Sequence, residues 1–193
     1  MKILSLSVLL VTFFACGSAP ETRYFAIHYD LPLVSAKAGS KVLFVQKLTA
    51  DPVLRTDKMI YKPSKYEYKF DYYRRWAEEP ADMLTSRLVR HLRASGVFKE
   101  VTLAPPRSQP FYMLSGQLRQ FEETFENGKH LARVSLAIKV QDMKTQELLL
   151  DDTLDSFSEI SRPGEEAILD AMSRATKSLL DNLAEKLAVL EKE

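Results

Sequence analysis

Side chains able to do bond-making chemistry are few in this sequence, and they are scattered. Histidine occurs three times, as His28, His91 and His130, far apart and without the close spacing that lets two imidazoles share a metal. Cysteine occurs once, as Cys16, so neither a thiolate zinc site nor a thiol nucleophile within the body of the chain has raw material. Asp151, Asp152 and Asp155 have oxygens suited to Ca²⁺. They lack the Gly and Glu that complete a Ca²⁺-binding loop, and read as a solvent-facing strand end. There is no Gly-rich phosphate loop, nucleophile elbow or metalloprotease helix motif. His91 flanks the stripe Leu84, Leu88, Leu92 and is expected to be a half-buried packing residue. The expectation is a protein that is not an enzyme and uses no metal or other cofactor.

The informative cysteine is informative through its place. Lys2 gives a positive start, and Ile3 to Phe14 run apolar except for Ser5, Ser7 and Thr12. Ala15-Cys16-Gly17-Ser18-Ala19-Pro20 then closes the run with small residues. The apolar stretch is well short of the ~20 residues that span a bilayer as a helix, so it reads as a secretory signal and not as an anchor. With Cys16 at the junction, this leader resembles a bacterial lipoprotein signal, in which the cysteine after the cut is lipidated and becomes the mature N-terminus. The resemblance implies residues 1–15 as signal peptide, Cys16 as the lipidation site and 16–22 as a lipidated tether. Gly17 in place of Asp implies an outer-membrane address. The alternative is an ordinary exported protein with a stray thiol. Against it, a lone cysteine forms no internal disulfide, and an exported chain has little reason to carry one free.

Cleavage before Cys16 removes 15 of 193 residues and leaves 178, enough for one domain with a proper core over 23–193. The mature chain is formally neutral, so its bulk charge gives no reason to expect nucleic acid as a partner or attraction to an anionic membrane. Charge is nevertheless lopsided. Seven basic residues (Arg55, Lys58, Lys62, Lys65, Lys69, Arg74, Arg75) stand against three acids between Arg55 and Arg75, net +4. Nine acids stand against Lys144 and Arg162 between Asp142 and Asp170, net −7. Opposite patches on one domain suit contact between subunits or with a partner.

Strands are expected at 23–29, 41–48, 58–61, 66–76 and 98–103 from their aromatic and β-branched runs and bounding Pro and Asp. A helix opens at Pro80, with Asp82 near its positive end and Arg90 and Arg93 near its negative end, and closes at Gly96 in a left-handed cap. Pro105, Pro106 and Pro110 mark a loop. A meander follows: 111–126, a two-residue turn at Asn127-Gly128, 131–141, a turn at 142–145, then 147–157. The apolar phase shifts between Leu118 and Phe121, which predicts a bulge. Ser161-Arg162-Pro163 starts a long terminal helix with the stripe Ile168, Met172, Ala175, Leu179, Leu183, Leu187 and Leu190. The fold class expected is α+β, one mostly antiparallel sheet with two helices packed on one face.

One stretch stands out: Tyr72-Tyr73-Arg74-Arg75-Trp76-Ala77-Glu78-Glu79-Pro80, leading into Leu84, Leu88, Leu92, Gly96, Phe98 and Val101. As physics alone it is an amphipathic ribbon whose rings pack under the first helix with the arginines in water. As a pattern it resembles the ABC-type transport auxiliary lipoprotein family, the paraquat-inducible C-like outer-membrane lipoproteins. That family carries a Tyr-x-Arg-Trp-Ala-x-x-Pro-like signature before its first helix, then a Leu-rich helix and a Gly-x-Phe-x-x-Val run. Leu54-Arg55 with Met59-Ile60-Tyr61, and Tyr112 to Leu118 with Phe121-Glu122, agree in order.

The resemblance implies a non-enzymatic accessory of an MCE/ABC-type lipid transport system of the bacterial envelope. It would be lipid-anchored on the periplasmic face of the outer membrane, where it docks the MCE-domain protein that bridges from the inner-membrane ABC transporter. Tyr73, Arg74, Arg75 and Trp76 are the candidate partner-binding residues. The opposite charge patches suggest a head-to-tail homo-oligomeric ring. The rival reading is a structural lipoprotein that assists outer-membrane complex assembly without touching lipid traffic. An envelope hydrolase is a third, and would need a pocket gathering a Ser, a His and an acid.

Overall fold

The computed structural model describes residues 20–32, 39–104 and 111–192. The leader 1–15, Cys16 and the proline-marked loop at 105–110 lie outside the described residues. Along the chain come β1 (Arg23–Phe25), β2 (Val42–Val45), β3 (Thr49–Ala50), β4 (Lys58–Ser64) and β5 (Glu67–Trp76). Then follow α1 (Pro80–Ser95), β6 (Glu100–Thr102), β7 (Tyr112–Glu126), β8 (Lys129–Asp142), β9 (Leu148–Glu159) and α2 (Glu165–Lys192).

The longest strand, β7, is the spine. One of its edges pairs with antiparallel β8 along almost its full length, and β8 in turn carries antiparallel β9. The other edge is tiled by three short parallel strands, with β2 against Tyr112–Leu114, β3 against Gln117 and Leu118, and β4 against Glu123 and Thr124. From β4 the sheet extends through antiparallel β5 to parallel β1, and from β2 to parallel β6. The class is α+β, as expected. Most paired residues sit in antiparallel ladders, while the short strands make the sheet mixed.

The local signals act as their chemistry requires. Pro80 opens α1, its missing N–H falling where the first turn has no acceptor to offer. Gly96 closes it at φ 67°, in the left-handed region. Asn127 and Gly128, at φ 51° and 75°, make the tight turn between β7 and β8. The ladder steps from Leu118 opposite Leu136 to Gln120 opposite Ser135, leaving Arg119 as the extra residue of a bulge.

Core side chains come from one sheet face and both helices. Leu114, Leu118 and Phe121 of β7, Val134, Leu136, Ile138 and Val140 of β8, and Leu154 of β9 are buried with Leu84, Leu88 and Leu92 of α1. Ala171, Met172, Ala175, Leu179, Leu183 and Leu187 of α2 join them, so the terminal helix is held by docking, as a stripe of this kind demands. Thr85 ties the layers together: its Oγ1 donates to the Ala81 carbonyl and accepts the Leu48 N–H at 3.0 Å. No helix among the described residues is long and apolar enough to cross a membrane.

Three local expectations change. The first strand ends at Phe25, not Tyr29, because the chain leaves the sheet to run between the helices. There Ile27 is buried, the His28 N–H donates to Ser173 Oγ, and the Tyr29 ring tilts against His91. The terminal helix begins at Glu165, after Gly164 at φ 113°. His91 is wholly buried, not half-buried, with its Nε2 3.3 Å from the Asp181 carboxylate of α2. Burial pushes its imidazole below the usual histidine range; Asp181 opposes the shift and Lys177 adds to it. Burial likewise raises the neighbouring Tyr29 phenol to about 12.

A histidine depressed on folding binds fewer protons in the native state than in the unfolded chain. The stability it confers is complete above the unfolded value of about 6.5 and is lost as pH falls below that. Replacing it with glutamine is expected to lower the melting temperature and to flatten its decline between about pH 7 and about pH 5.5. Melting curves of wild type and His91→Gln that stay parallel across that range would contradict the assignment.

Candidate functional site

The β4–β5 hairpin is the most distinctive surface. Successive side chains of a strand point to opposite faces, so Ile60 and Lys62 of β4 share a face with Tyr68 and Phe70 of β5; beyond a break in the register between Lys58 and Ile60, Lys58 lies beside Tyr72. Lys62 Nζ lies 4.6 Å from the Tyr68 ring centroid and Lys58 Nζ 4.3 Å from that of Tyr72. At the turn, Lys65 Nζ lies 4.8 Å from the Tyr66 ring. These are cation–π distances. Tyr66 is 84% exposed and Tyr72 64%; Tyr68, Phe70 and Tyr73 are also exposed. On the opposite face, Tyr61 packs edge-on against Phe125.

The root of the hairpin is fixed differently. Trp76 is 1% exposed, its ring 5.1 Å from that of Phe121 in an edge-on contact. Its N–H donates to the Asp57 carbonyl at 2.6 Å, and the next N–H, of Ala77, donates to Phe25 at 2.7 Å. The two arginines before it are paired, and not in water as the sequence suggested. Arg74 Nε donates to Asp71 at 2.7 Å, and its guanidinium lies 3.6 Å from Glu123. Arg75 lies 3.0 Å from Asp57. Tyr72, expected under the first helix, points to solvent. Of the four candidate partner-binding residues, Tyr73 alone is largely exposed; Arg74 and Arg75 are half-buried and Trp76 belongs to the core.

Two acids beneath the hairpin escaped sequence reasoning. Glu122 is 2% exposed, 3.5 Å from Lys62, and Glu123 lies 3.1 Å from His130 Nε2 and 3.6 Å from Arg74. Burial raises both carboxyls; Lys62 opposes this for Glu122, and Arg74 and His130 oppose it for Glu123. Asp71 goes the other way. Its partial burial is outweighed by hydrogen bonds from Arg74 and from the Arg74 and Tyr73 amides, so its carboxyl is held low. Adjacent glutamates just after a predicted bulge were the available signal, since an inserted residue changes which face each following side chain takes.

The other chemical candidates stay apart. His28 is exposed at the start of the helix crossing, His91 is between the helices, and His130 is stacked on Phe125 at 4.4 Å. Asp151 pairs with Lys139 at 3.3 Å, and Asp152 turns to Lys186 of α2 at 3.1 Å. Among the described residues no group of His, Cys, Asp and Glu is placed to hold a metal ion. The arrangement is suited to contact through rings and cations.

The family model described as ABC-type transport auxiliary lipoprotein component matches residues 29–184. The fold is similar to that of a Xanthomonas campestris protein, with a TM-score of 0.77 at 20% identity, covering 86% of this chain and 95% of that one. An uncharacterized protein gives a TM-score of 0.68 at 14% identity, covering 88% of this chain and 99% of that one. A hypothetical protein of Chlamydia trachomatis gives 0.54 at 8% identity, with 77% and 96% covered. At such identities these likenesses concern the fold alone. No curated protein matches the sequence.

The two ends of the signature should respond differently to truncation. Trp76→Ala is expected to cost about 3–5 kcal/mol in denaturant unfolding, as the loss of a buried ring leaves a cavity. Tyr72→Ala, at an exposed position, should cost no more than about 0.5 kcal/mol. Equal losses would contradict their opposite placement.

Proposed function

Because this chain belongs to the ABC-type transport auxiliary lipoprotein component family, we propose that it is a non-enzymatic accessory of an MCE/ABC-type lipid transport system. As a lipoprotein of this family it is anchored in the bacterial envelope. In the proposal the anchor is on Cys16, the membrane is the outer one, viewed from the periplasm, and the role is to dock the MCE-domain protein that reaches from the inner-membrane transporter.

The observation that carries the reading is the extent of the family match. It runs from Tyr29, between the helices, to Ala184, near the end of α2, and so takes in nearly the whole folded domain. The surface supports it: the hairpin exposes rings suited to contact, and the histidines and acids that bond-making would use are, among the described residues, separated or internally paired.

The ring expectation takes a narrower form. Strand β9, which bears Asp151, Asp155 and Glu159, closes one side of the sheet, and β1 closes the other beyond the basic β4–β5 limb. Opposite charge at opposite ends lets one copy meet the next head to tail. Arg74 and Arg75 are committed within their own chain, so reversing their charge would disturb the fold first. The acidic strand is the cleaner probe.

Crosslinking in intact cells followed by purification through this protein is expected to recover an MCE-domain protein. Recovery of outer-membrane assembly factors in its place would favour the structural-lipoprotein reading. In native mass spectrometry, Asp155→Lys combined with Glu147→Lys should lower the mass of the assembly; an unchanged mass would exclude β9 from the subunit contact.

A further inference from the structure

We propose that the ring-bearing face and turn of the β4–β5 hairpin rest on an anionic phospholipid bilayer, as a second attachment beside the acyl chains on Cys16. The inference rests on the lipid-anchor reading above and adds to it a surface of the folded domain.

Direction is the first argument. β1 runs parallel to β5 with Arg23 opposite Arg74 and Tyr24 opposite Arg75. Traced backwards from Arg23, the chain therefore heads along β5 from Arg74 towards Glu67, that is, towards the turn bearing Lys65 and Tyr66. Seven residues separate Cys16 from Arg23, and seven separate Glu67 from Arg74. At about 3.3 Å per extended residue each stretch reaches about 23 Å. The lipidated cysteine can thus reach the level of the hairpin turn, and a tether this short cannot carry the domain far from the bilayer.

Composition is the second. Tyr66, Tyr68, Tyr72 and Tyr73 are exposed together with Phe70, and Tyr24 on the adjoining strand is 62% exposed. Tyrosine is the side chain of the membrane–water boundary, with an apolar ring and a wet hydroxyl. Lys58, Lys62 and Lys65 lie over these rings; the Lys62 ammonium is held inward by Glu122 at 3.5 Å, so Lys58 and Lys65 are the cations of this face. The cores of protein–protein interfaces are depleted in lysine, whereas lysines beside an anionic leaflet are attracted to it. The local net charge of +4 between Arg55 and Arg75 has the sign this requires. Seating this face on lipid leaves the outer edge of β1 free for a neighbouring subunit.

The test uses the acylated protein extracted from its own membranes, with intact mass taken first. It is returned to vesicles of phosphatidylcholine, or of phosphatidylcholine with phosphatidylglycerol, and kept in detergent as a third sample. Lysine acetylation and tyrosine nitration are mapped in each. Labelling of Lys58, Lys65, Tyr66 and Tyr72 should fall about fivefold in phosphatidylglycerol vesicles and recover in roughly 0.5 M salt. Lys99 and Lys144, exposed elsewhere, should not change. In the Lys58→Gln, Lys65→Gln variant the protection of Tyr66 and Tyr72 should be lost. Equal labelling in detergent and in phosphatidylglycerol vesicles overturns the lipid contact. Protection already complete in detergent overturns it too, and assigns the face to a protein neighbour. An intact mass without acylation refutes the anchor reading separately, since unacylated protein mixed with the same vesicles still reports on the hairpin.

Discussion

A fifteen-residue strand has two edges of backbone N–H and C=O groups to satisfy, and the rest of this molecule is the answer to that requirement. On one side of β7 the chain turns back through Asn127-Gly128 and supplies β8 as a continuous partner. On the other side no single strand is long enough, so β2, β3 and β4 each take a section in parallel. Parallel pairing needs a crossover; β2, β3 and β4 follow one another along that edge, so one return through β5, α1 and β6 serves all three. The docking of α1 on β3, β6 and β7, with Thr85 holding the Leu48 amide, keeps that return in place.

The bulge at Arg119 then decides the character of the far end of the sheet. Before it, alternate residues of β7 face the helices; after it, Phe121 and Glu123 do so and Glu122 faces away. Two acids therefore sit buried, one on each face, and each meets basic side chains from neighbouring elements: Lys62 at Glu122, Arg74 and the His130 imidazole at Glu123. Removing one partner of such a pair would leave its charge buried and unmatched, which is the costly outcome. These pairs, with Trp76 locked against Phe121, tie the root of the β4–β5 hairpin to the sheet and leave its rings facing outward.

Order matters more than a reactive group for contact through a surface, as proposed for the hairpin. Its lysines are laid over its own tyrosines, so the face is ordered before a partner arrives and less side-chain freedom is lost on docking. In the proposed arrangement covalent lipid and an exposed aromatic face act in the same direction, since stable membrane attachment takes more than one signal.

The sequence by itself determined the elements whose causes are local. Pro80 and Gly96 bounded α1, Asn127-Gly128 made the hairpin, the lost apolar phase after Leu118 disclosed the bulge, and the stripe from Ile168 to Leu187 required a docked helix. The family was legible too, through the ordered run from Tyr72 to Val101. Tertiary structure alone decided the neighbours of each side chain. Whether an arginine meets water or a carboxylate depends on residues far along the chain, as Arg74 and Glu123 demonstrate, and so does the exposure of Tyr72 four positions from a buried Trp76. The same holds for the parallel tiling of β7, because a strand's own residues carry its periodicity but not the identity of the strand beside it.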